Sequence, residues 1–150
     1  QFGSQIPAFE ERHQDELDPA SWPCSMADFK VKITDSQWRS KLNAMEYRVM
    51  RHEGTERPGS SEYDKMMPAT GYFVCKGCEL PLYSSSSKFA SSCGWPCYDK
   101  CYYSDEGGCH VLTKPAGPGY YEIVCKRCDS HLGHVFYDSH SSTNKNGERH

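Results

Sequence analysis

Two Cys-x-x-Cys pairs stand out in this sequence, Cys75 with Cys78 and Cys125 with Cys128. Each pair can reach one metal ion from a tight turn, and four thiolates are a ligand set that closes a tetrahedral zinc site. The two pairs therefore predict one structural zinc ion that is bound by all four cysteines. Because thiols two residues apart also form redox disulfides, a disulfide framework is the competing interpretation.

A second group that could do chemistry is Cys93, which is followed by Gly-Trp-Pro. This arrangement places a thiol next to the large aromatic face of Trp95 on a rigid loop, a platform that suits a small apolar group such as a methyl. A core tryptophan beside a buried cysteine is the plainer interpretation of the same residues.

The histidines His131 and His134 follow the second cysteine pair directly. Imidazoles titrate near neutral pH, so they can hydrogen-bond, donate protons or bind metal. Four thiols already satisfy a zinc ion, which leaves proton donation to a substrate or stabilisation of a thiolate as the predicted functional role. A purely structural role is the alternative.

The cysteine content bears on the compartment in which the protein works. The 150-residue chain has nine cysteines, so five remain when four are assigned to zinc. An odd number of thiols cannot all pair within the chain, which argues against a secreted disulfide scaffold and for a reducing compartment. We expect the cytoplasm, with an organelle as the alternative.

Short helices and strands must position these side chains. A capping box at residues 34–37 predicts a helix that begins near Asp35, and Asn43 with Glu46 predicts a second helix that Gly54 ends. From Gly71 onward, short apolar or alternating runs separated by Gly, Pro and Ser are typical of antiparallel strands. The predicted strands are Gly71–Cys75, Leu80–Tyr83, Val111–Thr113, Tyr120–Cys125 and His134–Tyr137, with His131 in a turn that enters the last one.

These elements predict a mainly β (α+β) fold: a small antiparallel β-sheet domain with short N-terminal helices and a zinc site made of four cysteines. Residues 1–28 mix charge, Pro and small residues without periodicity, so they are interpreted as a mobile or surface-draped arm. Residues 29–150 form the predicted domain.

The charge of the chain limits the classes of partner. A formal net charge of −3 and a pI near 6.2, with scattered basic residues, give no electrostatic footprint for nucleic acid or an anionic membrane. No apolar run approaches the ~20 residues of a membrane span. We expect a monomer that binds neither nucleic acid nor membrane.

Several ordered strings in residues 34–150 share one resemblance. They are Gly71-Tyr-Phe-Val-Cys-x-x-Cys78, Pro81-Leu-Tyr-Ser84, Ser92-Cys-Gly-Trp-Pro96, Cys125-x-x-Cys-Asp-Ser-His-Leu-Gly-His-Val-Phe136 and Gly147-Glu-Arg-His150. Together they resemble methionine sulfoxide reductase type B. The resemblance implies that a cysteine or selenocysteine attacks the sulfur of methionine-R-sulfoxide, free or in proteins, and releases methionine. The resulting sulfenic acid condenses with a second thiol, and thioredoxin reduces the disulfide.

The resemblance also assigns roles to individual residues. Trp95 is expected to pack against the substrate methyl group, Cys93 to be the resolving thiol and Asp138 to be a supporting acid. The side chains expected around the sulfoxide oxygen and the nucleophile are His131, His134 and Arg149. A sulfoxide sulfur becomes electrophilic only when its oxygen is protonated or strongly hydrogen-bonded, so such donors are needed. The resemblance assigns the single zinc ion to the ligands Cys75, Cys78, Cys125 and Cys128.

The sequence departs from the family pattern at two places. The family's nucleophile follows the segment that ends here at His150, so it is expected at position 151, and we predict no turnover by the family mechanism for residues 1–150. A trimmed tail, a deliberate truncation and a selenocysteine codon read as a stop are the three explanations. At Cys97, where Ser or Ala is usual, we favour a buried small side chain over a spare resolving thiol. Cys24 is a weaker candidate for resolution.

A different class of function is also compatible with the cysteine pairs, namely a zinc-stabilised, non-catalytic β module that binds protein. Such a module has no need to bring Trp95, His131, His134 and Arg149 together, which separates the two hypotheses. A nucleic-acid-binding zinc ribbon is a more distant alternative because the charge is wrong.

Overall fold

The structure, a computed structural model, describes residues 30–105, 107–137 and 140–150 and the backbone of Pro7–Glu10. In this described part of the chain, three short α-helices precede most of the strands: α1 (Asp35–Lys41), α2 (Ala44–His52) and α3 (Glu62–Lys65). The strands are β1 (Pro7–Glu10), β2 (Tyr72–Cys75), β3 (Pro81–Ser84), β4 (Lys88–Phe89), β5 (Cys97–Tyr98), β6 (Tyr103–Ser104), β7 (Gly108–Cys109), β8 (Val111–Gly117), β9 (Tyr120–Cys125) and β10 (His131–Phe136). The predicted fold class, small antiparallel sheets with short helices, is confirmed.

The first two helices begin where their capping residues predict. The Thr34 side chain accepts from Gln37 N–H in a complete capping box, and Asn43 forms the same box with Glu46. These bonds satisfy backbone donors that a helix N-terminus otherwise leaves unpaired. The end of α2 differs by one residue from the prediction, because Glu53 rather than Gly54 adopts the left-handed conformation, with φ 52°.

Within the described residues, the strands form two three-stranded and two two-stranded antiparallel sheets. β1, β2 and β3 lie in that order in one sheet, and β10, β9 and β8 in the second. β4 pairs with β5, and β6 with β7. Within the predicted N-terminal arm, Pro7–Glu10 pairs with Tyr72–Cys75, and Cys24 lies outside the described residues.

A bulge corrects the prediction for the start of the last strand. His131 does not lie in a turn but pairs with Val124 in β10, and the next pair is Gly133 with Ile123. Leu132 is therefore the extra residue of a β-bulge. In a regular strand His131 and His134 point to opposite faces, whereas one extra residue puts both on the same face.

The segment at residues 149–150 joins two otherwise separate sheets. Arg149 exchanges backbone hydrogen bonds of 2.9 and 2.8 Å with Phe136 of β10. His150 exchanges bonds of 2.9 and 3.3 Å with Tyr98 of β5. This extended segment therefore places the strand that carries both histidines near the strand that begins at Cys97.

The core fills the space between α1, α2 and the sheets. Its largest fully buried side chains include Tyr83, Tyr98 and Phe73, and the Tyr83 and Tyr98 rings stack with centroids 4.1 Å apart. Trp38 of α1 is also buried. The helices in the described part of the chain are too short and too polar to cross a bilayer.

Candidate active site and metal centre

Two hairpin turns with the same backbone conformation carry the four cysteines of the Cys-x-x-Cys pairs. In the turn between β2 and β3, Glu79 N–H donates to the Cys75 carbonyl oxygen at 2.7 Å. In the turn between β9 and β10, Asp129 N–H donates to the Cys125 carbonyl oxygen at 3.0 Å. Glu79 and Asp129 both have a positive φ, 65° and 56°. Each turn therefore presents its two thiols in the same way.

The two turns face one another and bring the four thiols together. All four Sγ atoms lie within 4.8 Å of one another, with Cys75 and Cys128 at 3.6 Å and Cys78 and Cys125 at 3.5 Å. Zinc–sulfur bonds of ~2.3 Å in a tetrahedron place the sulfurs about 3.8 Å apart. The prediction that the four thiols form a single cluster is confirmed, and this cluster could hold one metal ion.

The surroundings of this cluster fix its shape. Hydrogen bonds from the Cys125 and Cys75 thiols hold the pKa of Cys128 well below its ordinary value, so the cluster supports a thiolate, which is the form that binds metal. A Cβ at Gly77 would lie 2.5 Å from the Trp38 ring, so glycine is needed where α1 packs against the first turn.

The loop that contains Cys93 and Trp95 is fastened to the chain that follows α2. Trp95 Nε1 donates to the Glu56 carbonyl oxygen at 3.2 Å, and Gly59 N–H donates to the Gly94 carbonyl oxygen at 2.6 Å. Gly94 has φ +90°, and a Cβ there would lie 2.7 Å from Cβ of Pro58. The half-buried indole of Trp95 therefore has a fixed position, as a substrate platform requires.

The Cys93 thiol lies beside a second thiol, that of Cys97. Its Sγ lies 3.3 Å from Sγ of Cys97, and each Sγ lies 3.4 Å from the Trp95 carbonyl oxygen. The hydrogen bond from Cys97 is the main cause that lowers the pKa of Cys93 to about 5; Ser91, Trp95 and the charge of Arg149 act in the same direction against burial. The hydrogen bond from Cys97 therefore favours the thiolate form of Cys93.

The two histidines are neighbours on the same face of β10. Their ring centroids lie 5.6 Å apart, and His131 Nδ1 lies 2.9 Å from Oε1 of Glu122 on β9. Burial, together with the charge of His131, lowers the pKa of His134. A neutral imidazole at His134 can donate one hydrogen bond, while Glu122 fixes the orientation of His131.

Arg149 connects the histidines with Cys93. Its guanidinium lies over the Phe136 ring at 4.4 Å, and the Phe136 ring stacks on Tyr120, which also contacts His134 at 5.6 Å between centroids. The charge of Arg149 also acts on Cys93. Arg149 therefore interacts with both groups. It contacts the aromatic rings that pack against His134, and its positive charge lowers the pKa of Cys93.

Three acidic residues near these side chains were missed by sequence reasoning. Glu122 binds His131, the Glu148 Oε1 lies 2.7 Å from Nε2 of His150, and the Glu56 backbone binds Trp95. Burial raises the pKa of the Glu56 carboxyl, whose Oε1 has no hydrogen-bond partner among the described residues. Only strand register could have indicated Glu122, which pairs with His134 across the strands. The predicted supporting acid Asp138 lies outside the described residues.

Comparison with known proteins gives one consistent result. The SelR domain family matches residues 42–150. Peptide methionine sulfoxide reductase B5 of Arabidopsis thaliana is 43% identical over 106 residues, which cover 71% of this chain and 73% of that protein. Peptide methionine sulfoxide reductase MsrB of Hahella chejuensis is 41% identical over 119 residues, which cover 76% of this chain and 81% of that protein.

Proposed function

Because the chain belongs to the SelR domain family, the type B methionine sulfoxide reductases, we propose that it reduces methionine-R-sulfoxide, free or in oxidised proteins, to methionine. The observation that carries the proposal is the position of the segment at 149–150 between β10 and β5. It brings Arg149 to Phe136 on the histidine strand and His150 to Tyr98 beside Cys97. A non-catalytic binding module has no need of this convergence.

The register of this segment also supports the proposed position of the nucleophile. His150 and Tyr98 form an antiparallel hydrogen-bonded pair, so a residue 151 that continues the segment lies opposite Cys97. Residues opposite one another in the next, non-hydrogen-bonded pair have their Cα atoms only ~4.5 Å apart. A cysteine or selenocysteine at position 151 would therefore share the face of Arg149 and Cys97.

The side chains of this region account for the steps of the reaction. The methyl group of the sulfoxide packs on the Trp95 indole, which Glu56 holds in place. His131, His134 and Arg149 hydrogen-bond the sulfoxide oxygen and supply a proton, so that the sulfur becomes electrophilic. The nucleophile attacks the sulfur, the oxygen is transferred from the substrate sulfur to the nucleophile, which becomes a sulfenic acid, and methionine leaves. The Cys93 thiolate then attacks this sulfenic acid, forms a disulfide and releases water.

We assign the metal site to zinc and the recycling of the disulfide to thioredoxin. Zinc bound by Cys75, Cys78, Cys125 and Cys128 would supply structural stability by holding the β2–β3 and β9–β10 turns together. Thioredoxin reduces the disulfide by thiol exchange. Both fit the cytoplasm, where the thiol pool keeps cysteines reduced. We propose a monomer as the active form.

The test measures reduction of the two epimers of a methionine sulfoxide peptide with dithiothreitol. The protein is compared in two forms, residues 1–150 and a chain extended by Cys at position 151 and the family's final strand. We expect the extended chain to reduce the R epimer and residues 1–150 to show no turnover. A His131→Asn variant of the extended chain should lose at least about a hundredfold in kcat/KM, the usual contribution of a proton donor. No product, or preference for the S epimer, contradicts the proposal and favours the binding module.

A further inference from the structure

The thiols of Cys93 and Cys97 lie in direct contact with one another. Their Sγ atoms are 3.3 Å apart, and three residues, Gly-Trp-Pro, lie between them. Cys97 is 2% exposed and begins β5, where it pairs with Phe89. Cys93 is half-buried on the loop before it. One thiol is therefore held by a strand and the other is open to reaction.

We propose that Cys93 and Cys97 are a redox pair that closes to an intramolecular disulfide. In this pair Cys97 is a second resolving thiol, which displaces the nucleophile from its disulfide with Cys93. This step rests on the proposed function for its natural oxidant, methionine sulfoxide. The proposal goes beyond that function, because it identifies the disulfide that the reductant reduces as one between two thiols of the same loop.

The chemistry consists of one thiol exchange within the protein, followed by reduction by a dithiol. After Cys93 has formed a disulfide with the nucleophile, the Cys97 thiolate attacks the Cys93 sulfur. The bond between Cys93 and the nucleophile breaks, the nucleophile leaves as its thiolate or selenolate, and a Cys93–Cys97 bond forms. No electrons are gained or lost overall in this exchange. A dithiol reductant then donates two electrons and two protons and restores both thiols.

The geometry needs only a small movement to form this bond. A disulfide has an S–S distance of about 2.05 Å, so the two sulfurs must approach by roughly 1.3 Å. The strand pairing of Cys97 and the hydrogen bond from Gly59 to Gly94 hold the two ends of the loop. Side-chain rotation of the half-buried Cys93 is therefore the movement that the structure favours.

The electrostatics of the pair set the order in which the two thiols react. In the reduced pair the Cys97 thiol donates to the Cys93 thiolate, and this hydrogen bond, with burial, raises the pKa of Cys97. Cys93 therefore reacts first. Once Cys93 is part of a disulfide, its negative charge is gone and that cause of the raised Cys97 pKa disappears. Cys97 can then lose its proton and attack.

A groove of about 380 Å³ lies beside the loop and is lined by Ser92 and Gly94, the two neighbours of Cys93, and by Met67 and Asp64. A second pair of nearby thiols, Cys101 and Cys109, brackets the β6–β7 hairpin and must be distinguished from the proposed pair. Burial, and then the Cys109 thiol, raises the pKa of Cys101 to about 12, so Cys101 is a poor nucleophile.

The first experiment uses residues 1–150 loaded with zinc, which keeps four other cysteines bound. The protein is equilibrated with glutathione and glutathione disulfide, quenched in acid, alkylated and digested with trypsin. Cleavage after Lys88 and Lys100 yields a peptide of residues 89–100 that contains Cys93 and Cys97 and no other cysteine. We expect this peptide to lose the mass of two hydrogen atoms and to carry no alkyl group. Alkylation of both thiols under conditions that form mixed glutathione disulfides elsewhere would overturn the proposal.

Matched variants separate the pair from its neighbours. Cys97→Ser should leave Cys93 as a persistent mixed disulfide with glutathione, and Cys97→Ala should do the same if serine disturbs folding. Cys101→Ser, another single thiol removed close to the same strand, should leave the Cys93–Cys97 disulfide unchanged. Loss of the Cys93–Cys97 disulfide in Cys101→Ser would assign the oxidation to the wrong pair and overturn the proposal.

The second experiment distinguishes failure of the pair from failure of the proposed function. The chain extended by Cys at position 151 and the family's final strand is given R-sulfoxide without any reductant, and methionine and disulfides are both measured. We expect methionine together with the Cys93–Cys97 disulfide. Methionine with a stable disulfide that includes position 151 overturns the pair and leaves the proposed function standing. If no methionine forms, the proposed function fails, while the glutathione experiment still decides on the pair.

Discussion

Two groups of cysteines in this molecule have similar sulfur distances and opposite chemical settings. In the cluster of the two turns, Cys75 and Cys128 lie 3.6 Å apart although 53 positions separate them in the chain. In the Cys93 loop, two thiols lie 3.3 Å apart within five consecutive residues. The first group ties distant segments together and the second group adds nothing to the connectivity of the fold.

The difference in setting shows what makes a cysteine structural or reactive. The turn cluster is largely buried, and its thiols donate to one another and so offer a closed set of ligands. Cys93 is half-buried, accepts a hydrogen bond from one neighbouring thiol and lies in the field of Arg149. A thiolate that is partly exposed and near a positive charge is a nucleophile, whereas a closed set of thiolates binds metal.

The largest expected effect comes from breaking the turn cluster. Cys128→Ser removes one of four thiols, so the β2–β3 and β9–β10 turns would lose the zinc ion that we propose they share. We expect bound zinc to be lost and the free energy of unfolding to fall by about 4 kcal/mol or more, as for other lost metal sites. Elemental analysis and urea denaturation measure the two effects.

A control for this prediction is Cys109→Ser, which changes an exposed thiol outside the cluster. It should keep the zinc and change the free energy of unfolding by less than about 0.5 kcal/mol, as is usual for surface sites. If Cys128→Ser retained a full equivalent of zinc and the stability of the native chain, the four-cysteine cluster would not be a structural metal site.

The two cysteine groups also differ in how far the sequence could predict them. That the four thiols of the turn cluster lie together was predicted correctly, because the Cys-x-x-Cys spacing indicates a metal-binding turn within each short segment. The contact between Cys93 and Cys97 was not predicted. The burial of Cys97 was predicted, but its distance to Cys93 depends on the pairing of Cys97 with Phe89. The strand that contains Cys97 has only two residues, which is too short to give an alternating pattern.

The same distinction applies to the fold. The helix starts at Asp35 and Ala44 were predicted because capping is local, and strand β9 was predicted over Tyr120–Cys125 because its residue types are those of a strand. The bulge at Leu132 depends on β9 as a partner, so the sequence of β10 alone could not reveal it. Glu122 and Phe136 became neighbours of the predicted site residues through register, which periodicity does not determine.

A smaller effect is expected on the reactivity of Cys93 when its partner thiol is removed. In the native pair the pKa of Cys93 is about 5, with the hydrogen bond from Cys97 as the main cause. Cys93 should therefore react with iodoacetamide at nearly the same rate from pH 6 to pH 9. In Cys97→Ala its pKa rises toward the ordinary thiol value, so the rate at pH 6 should fall by at least about tenfold and recover near pH 9.

Mass spectrometry of the peptide of residues 89–100 measures this rate at one site. The turn cluster provides the internal comparison, because its thiols, if they bind zinc as proposed, should remain unalkylated across the same pH range in both proteins. A Cys97→Ala profile identical with that of the native chain would show that Cys93 owes its reactivity to another group and that the two sulfurs do not act as a pair.

The smallest expected effect concerns the charge of Arg149. Arg149 is the weakest of the causes that lower the pKa of Cys93, and it acts by charge alone. Arg149→Gln should therefore raise the pKa of Cys93 only slightly and slow alkylation at pH 5 by less than about threefold, since solvent screens such an interaction. Arg149→Lys keeps the charge and should restore the native rate. A loss in Arg149→Gln as large as in Cys97→Ala would mean that charge, rather than the neighbouring thiol, distinguishes the reactive group of cysteines from the structural one.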